Sequence, residues 1–524
     1  MTQIPSTGFA PAQNWPLGTM PAVDRKQLAW RLLAGLVLLA GAAPLLVATP
    51  APLQDWPSHL ARVWITRQVQ GGDPFWGAHY ELQGFLIPNA ILDIGVLGLS
   101  WLGFGHDQAG MAFLLLVYAA FTGGFCALAR QADAASRLTP ALAAACFYSA
   151  SLFYGLVNFV AGLAVMLWAL AFWVRLAARP GRRAALAVGA VILIAPCHII
   201  AAFVFVGIGF CLDAGAWFRA PARRLASLLP ACAGLAAAIG LLALSPVAGD
   251  RLGQAGYNVD GSLMGFLSRK ALITAHGMMS GRPGPDLLLL AAGAVLLVAV
   301  VRLRPRLALP WALATGAVAA LTLAAPDTVG EGAFFDARLA PIPVLLAAAT
   351  LPLRSIMPRL ALLAGALLVA RTALLAVEWR EAGQTYALLD AELARLAPGS
   401  TLLAGLGSPP ERFTWADEWT PPSGNIISLA VPHGIFVPSV FASPVQQPLA
   451  LRPPWRGLRH YMDMSTPAKR DEAAAMARDE CRRGRVVNVL VVHLGARDGD
   501  ARSAGALPGP LGDRFSLISA CGTR

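Results

Sequence analysis

The chain reads as a polytopic α-helical membrane protein of about 11 spans with a C-terminal extracytoplasmic α/β domain. Three observations predict this class. Hydrophobic residues make up 56 % of the sequence and charged residues 13 %, with a mean hydropathy of +0.59, whereas an ordinary soluble domain carries about 25 % charged residues. Apolar runs long enough for a hydrocarbon core of about 30 Å recur along the first 378 residues. Beyond residue 378 the composition turns polar and turn-rich.

Residues 1–28 form a polar, cytoplasmic N-terminal segment. They lack the basic start of a cleavable signal, so the first apolar run is expected to stay as an anchor. Residues 29–378 form the multi-span transmembrane domain, with runs at 29–49, 85–104, 109–129, 138–154, 156–176, 185–212, 224–248, 286–303, 309–326, 338–352 and 358–378. Short-loop Lys and Arg favour the cytoplasm. Arg25 and Lys26, then Arg219, Arg223 and Arg224, Arg302, Arg304 and Arg306, and Arg354 and Arg359 agree with a cytoplasmic N-terminus and an external C-terminus. Arg175, Arg179, Arg182 and Arg183 do not, so either that loop breaks the rule or one of spans two to five is re-entrant or miscounted.

The external loop 50–84 carries the most informative stretch, Asp55-Trp56-Pro57-Ser58-His59 followed by Arg62. If Trp56 opens a helix, Asp55 and His59 share one face and Arg62 lies three residues further along it. The plainer alternative is that Asp55 only caps this helix, Pro57 being tolerated in its first turn. Pro57–Gln70 has the pattern of an interfacial helix. Trp56, Trp64, Phe75, Trp76, His79 and Tyr80 decorate the loop, although aromatic belts mark membrane interfaces of every function.

Residues 379–524 read as a separate extracytoplasmic soluble α/β domain entered through an amphipathic helix. Thr401–Leu406, Asn425–Val431 and Arg485–Leu494 are expected as strands, with Phe515–Ala520 also strand-like, and Thr466–Arg483 as a helix. Trp415, Trp419 and Trp455, near Arg412, Asp417, Glu418, His433, Arg456 and His460, could contact a saccharide, but tryptophan in such a fold is more often core. Cys481 and Cys521 are its two cysteines and would pair in an oxidising compartment. No Cys-x-x-Cys or Cys/His metal spacing occurs, so a zinc site is not expected; no cofactor is expected, a divalent metal being possible but not indicated.

Inside the spans, Asn89 and Asp93, Asn158 and His198 are costly in hydrocarbon and expected to face a bundle interior. Asp93 should be protonated or partnered. The net charge of +12 comes mostly from loop arginines, which points to anionic lipid and not to nucleic acid, for which no motif is present.

A hydrophobic first span, a long external loop opening with Asp55-Trp56-Pro57-Ser58-His59, many further spans and an external C-terminal domain together resemble the GT-C superfamily of polytopic membrane glycosyltransferases. The resemblance implies transfer of a sugar from a polyprenyl-phosphate or polyprenyl-diphosphate carrier to an envelope glycan, lipid or protein acceptor on the outer face. It carries the acidic base or acceptor-positioning role to Asp55. Gln54 and Trp56 flank Asp55 where some members have an Asp-x-Asp or Asp-Glu pair, which favours a monophosphate carrier without metal. His59 joins Asp55 as a catalytic candidate; Arg62, Asp93, Arg269, Lys270, His276 and Arg338 are candidates for binding substrate, arginine being suited to phosphate. Arg67 is a further candidate cation, and any of these arginines could instead snorkel to the interface. The expected location is a bacterial-type inner (plasma) membrane. Two other classes stay open: a transporter or flippase, which would show paired broken helices, and a non-catalytic partner in envelope polysaccharide export, which would tolerate replacement of Asp55.

Overall fold

The computed structural model describes residues 25–85, 88–217, 224–245, 255–256, 262–329, 334–354, 356–407, 424–442, 447–458, 462–464, 466–493, 507, 511–512 and 514–521. Arg219, Arg223, Arg412, Trp415, Asp417, Glu418, Trp419, His460 and Leu494 lie outside the described residues.

The chain begins with the apolar helix α1 (Arg25–Gly41) and the short α2 (Ala43–Val47). The first loop then folds as α3 (Trp56–Gln70), α4 (Pro74–His79) and strand β1 (Tyr80–Leu82). Next come α5 (Ile91–Trp101), α6 (His106–Gln131), α7 (Thr139–Phe147), α8 (Ala150–Phe153) and α9 (Val157–Arg175). The run 185–212 is divided between α10 (Pro180–Ile194) and α11 (Ile199–Trp217). Pro196 explains the division, because it cannot donate to the helical ladder. After α12 (Arg224–Leu244) follow β2 (Ala255–Gly256), α13 (Leu263–His276), α14 (Pro283–Leu303), α15 (Leu309–Ala324), β3 (Thr328–Val329), α16 (Phe335–Leu339), α17 (Pro341–Thr350) and the long α18 (Pro358–Leu393). Among the described residues, α6, α9, α12, α14 and α18 contain segments long and apolar enough to cross a membrane by themselves. Leu39, Leu244 and Leu362 are more than 70 % exposed, the outward apolar surface expected where lipid is the solvent.

Contacts between loops sort the helix ends onto two faces. On the face of the first loop, the amides of Gln54 and Asp55 donate to the carbonyls of Phe153 and Tyr154 at 3.0 and 3.2 Å, and those of Ala90 and Ile91 donate to the Pro196 carbonyl. The Ala150 amide reaches the Gly277 carbonyl there as well. On the opposite face, Arg137 lies over Trp30, 4.1 Å from its centroid, and Arg354 pairs with Asp133.

Helix α5 replaces the expected span 85–104 and does not cross. It has 11 residues, a length of about 16 Å. It starts beside Arg62 and ends just before α6, whose Gly110 lies against Leu60 and Trp56 of α3. Both its ends therefore lie on the first-loop face. Every helix from α6 to α9 is inverted relative to the sequence expectation, which puts Arg175, Arg179, Arg182 and Arg183 on the face opposite the first loop.

A buried arginine supports the break between α7 and α8. Arg371 of α18 donates to the carbonyls of Ala145, Tyr148 and Met278 at 3.2, 2.9 and 3.1 Å. These acceptors lie where the helical ladder is interrupted and where no water would satisfy them.

The C-terminal residues form β4 (Thr401–Leu406), β5 (Leu449–Leu451), β6 (Met462–Asp463), α19 (Pro467–Arg482), β7 (Val487–Val492) and β8 (Phe515–Ser519). Four strands make one sheet in the order β6-β4-β7-β8, parallel except for β8. Cys481 and Cys521 are disulfide-bonded with a Cα separation of 5.5 Å. The expected strand Asn425–Val431 is instead within a 3-10 segment, Gly424–His433. Its buried apolar residues Ile426, Ile427, Ala430 and Val431 recur at three- to four-residue spacing, which suits a helix and not a two-residue alternation. This segment packs on α3, and β1 pairs with β5. The first loop and the C-terminal residues thus share a core containing Ile65, Trp76, Tyr80, Ile427, Val431 and Phe436.

Candidate active site at the first-loop face

Asp55 does not serve as a side-chain cap. It precedes α3, yet its carboxylate makes no cap hydrogen bond. Oδ1 instead accepts from Nδ2 of Asn425 at 2.8 Å. Asn425 is oriented by Ser58, whose hydroxyl donates to Asn425 Oδ1 at 2.9 Å and lies 2.9 Å from the Ser428 hydroxyl.

The backbone beneath Asp55 is fixed by the turn between α8 and α9. Gly155 in that turn has φ of +79°, and a Cβ there would lie 2.6 Å from the Asp55 amide nitrogen and 2.8 Å from its Cβ. Only glycine fits both the left-handed conformation and the close approach.

Burial raises the Asp55 pKa to about 7 even though the charges of Arg338 and Arg62 and the Asn425 hydrogen bond all pull it downward. The carboxyl group is therefore poised to exchange a proton near neutrality. His59, one turn along α3, is buried, and desolvation together with Arg62 holds it well below the usual imidazole range. Its neutral ring has Nδ1 without a hydrogen-bond partner among the described residues and lies 5.2 Å from the Phe441 ring.

A cavity of about 640 Å³ opens between α11, α12 and α15; Asp55 is not among its lining residues, and Arg338 is the group that connects the two. Phe203, Val204, Ile208, Leu242, Val318 and Leu321 give the cavity apolar walls, while Asn89, His198 and Arg338 also line it and lie towards the first-loop end. Arg338 projects from α16 with its buried Nε unpartnered among the described residues, and its charge acts on both Asp55 and His198. The arrangement places a guanidinium at one end of an apolar space and within electrostatic reach of the Asp55 carboxylate.

The other sequence candidates occupy supporting positions. Arg62 is fully buried and bidentate with Asp93, Nε to Oδ1 at 2.8 Å and Nη2 to Oδ2 at 2.7 Å, a pair that fastens α5 to α3. Asp93 is thus partnered and does not face Asp55. Lys270 donates to Asp336 at 2.5 Å, to the Ala325 carbonyl at 2.6 Å and to Asp327 at 3.2 Å, while Arg269 pairs with Asp327 at 3.1 Å. Arg269 and Lys270 therefore engage carboxylates that position α16. Nδ1 of His276 bonds the Leu272 carbonyl of its own helix at 2.8 Å.

Asn158 secures the start of α5, with Nδ2 donating to the Asn89 carbonyl and Oδ1 accepting from the Leu92 amide. Arg456 lies 3.6 Å from Glu81, and Trp455 stacks near His79 and Phe436, so both join the first loop to the C-terminal residues. His433 bonds Asp390 of α18 at 2.8 Å. Sequence reasoning missed Asn425, Ser428 and Gly155; the helical spacing of the apolar residues after Asn425 was the available signal. Among the described residues no group of three or more His, Cys, Asp and Glu side chains could hold a metal ion.

Apolar helices, a first loop interlocked with the C-terminal residues and an apolar cavity with an arginine at one end define a multi-pass membrane protein. The particular likeness is to the crystal structure of ArnT from Cupriavidus metallidurans bound to undecaprenyl phosphate, with a TM-score of 0.51 over 95 % of this chain and 98 % of that chain. The two sequences are 12 % identical, so the likeness is one of fold, and it agrees with the GT-C resemblance read from the sequence. No family model matches the chain, and no curated protein matches it.

Proposed function

We propose that the chain is a membrane glycosyltransferase of the GT-C type that moves a sugar from a polyprenyl-phosphate carrier to an acceptor hydroxyl on the outer face. The observation that carries this reading is Arg338, which lines the polar end of an apolar cavity of about 640 Å³ and whose charge also acts on the carboxylate of Asp55. The structural neighbour was crystallised with undecaprenyl phosphate, which supports a lipid phosphate as the ligand here. The prenyl chain lies between α11, α12 and α15, and the phosphate meets Arg338, whose Nε is unpartnered among the described residues.

In the transfer, Asp55 removes the proton from the acceptor hydroxyl as its oxygen bonds to the anomeric carbon. The bond from that carbon to the phosphate oxygen breaks, and the electron pair leaves with the phosphate, whose added negative charge Arg338 stabilises. Neutral His59 offers Nδ1 as a hydrogen-bond acceptor beside the base. Arg62 with Asp93 braces α3, and Arg269 and Lys270 brace α16.

The orientation follows from arginine placement. The first-loop face is external, and Arg137, Arg175, Arg179, Arg182, Arg183, Arg302, Arg304, Arg354 and Arg359 then belong to the cytoplasmic face. Losing span 85–104 and dividing 185–212 leaves eleven crossings and an external C-terminal α/β domain, from about residue 379. The Cys481–Cys521 disulfide suits that compartment. The test is transfer from a polyprenyl-phosphate sugar by the purified chain and by Asp55→Asn. An active wild type with an inactive variant supports the reading, and equal activity in both rejects Asp55 as the base.

A further inference from the structure

Ser58, Asn425 and Ser428 form a hydrogen-bonded file whose direction can be assigned. The Ser58 hydroxyl donates to Asn425 Oδ1 at 2.9 Å, which turns the other end of the amide, Nδ2, toward Asp55 Oδ1 at 2.8 Å. Ser58 has a single hydroxyl hydrogen and spends it on Asn425, so the 2.9 Å contact between Ser58 and Ser428 must be a donation from Ser428. Every donor in the file points toward the carboxylate, and such chains polarise cooperatively in a buried setting. Ser58, Asn425 and Ser428 are all buried. Two of them come from the segment Gly424–His433, some 370 residues from Asp55 along the chain.

We propose that this C-terminal segment is a working part of the site: Asn425, aimed by Ser58 and Ser428, is a positioning residue that orients Asp55 and favours its ionised, proton-accepting form. The inference rests on the reading of Asp55 as the base and adds that docking of residues 424–433 on α3 sets how readily it accepts a proton. The charged groups facing Asp55 are Arg338 from α16 and Arg62 from α3, with neutral His59 on the same helix. None belongs to the file, so removing Asn425 leaves them in place.

The test is a carboxyl-band infrared titration of the purified full-length chain, with the Asp55→Asn spectrum subtracted to isolate Asp55. The wild-type midpoint is expected near 7. Asn425→Ala should raise it by about 1 pH unit or more, the equivalent of one lost hydrogen bond to a charged group. Ser58→Ala and Ser428→Ala should raise it by less, and they carry the test if Asn425→Ala does not fold. The acid limb of any transfer profile should move with the midpoint. Unchanged midpoints in folded variants would overturn the inference. Since the titration needs no substrate, a wild type that transfers no sugar would sink the proposed function by a separate result.

Discussion

Replacing Gly155 by Ala tests how rigidly the fold holds Asp55. The residue sits at φ of +79°, and its new Cβ would stand 2.6 Å from the Asp55 amide nitrogen and 2.8 Å from the Asp55 Cβ. The left-handed conformation costs a non-glycine residue about 1–2 kcal/mol, and overpacking costs about 1–3 kcal/mol more. The total is roughly 2–5 kcal/mol if nothing moves. Relief requires the Asp55 backbone to retreat, and a shift of about 1 Å at a reacting group can lower a rate by about 100-fold. Gly72 separates the two terms, because its φ is +80° but a Cβ there meets nothing within 4 Å. Thermal unfolding of purified Gly155→Ala and Gly72→Ala, followed by transfer assays, gives the comparison. Gly155→Ala should lose more stability than Gly72→Ala and alone should lose transfer. Equal stability losses with full transfer in both would refute the argument that the Gly155 turn positions the base.

Other perturbations address the remaining parts. Transfer should rise with pH through about 7 as Asp55 ionises. The same raised pKa gives the opposite sign for stability: the contribution of the protonated group is present below its ordinary value of 3.8 and is lost as pH climbs through about 7. Asp55→Asn should flatten that part of a stability-against-pH curve. Arg338→Ala should weaken binding of a polyprenyl phosphate by about 10- to 100-fold, the scale of lost charge-assisted hydrogen bonds, measured by quenching of intrinsic fluorescence. Lys270→Met should cost about 3–5 kcal/mol in thermal or denaturant unfolding, because Asp336 loses its buried counter-ion while Asp327 keeps only Arg269. Cys481→Ser with Cys521→Ser should lower stability by about 2–4 kcal/mol, with melting of the β6-β4-β7-β8 sheet as the readout.

The class of protein was legible because lipid-exposed helices demand composition that no soluble domain has. Asp55 stood out because charge just beyond an apolar run needs a reason, and strands β4 and β7 because Val and Leu runs between turns fit a buried parallel sheet. Length alone misjudged 85–104: its residues are apolar enough to span, but Asn89 takes φ of +71° and the helix begins only at Ile91, ending at Trp101. The partners of Arg62, Arg269 and Lys270 were not legible, since each cation finds its carboxylate 31 to 66 residues away and a loop cation reads the same whether paired or free. Asn425 was hidden for the same reason, with 370 residues separating it from Asp55.

In the proposed transfer, Asp55 removes the acceptor proton while Arg338 holds the departing phosphate. Transfer of labelled sugar from a polyprenyl phosphate by purified wild type and Asp55→Asn measures it most directly. Asn preserves the size of the side chain and can still meet the Asn425 amide, so the variant should fold and bind carrier. Loss of transfer on the order of 100-fold or more, with carrier binding retained, is the expected result. Undiminished transfer by Asp55→Asn would contradict it.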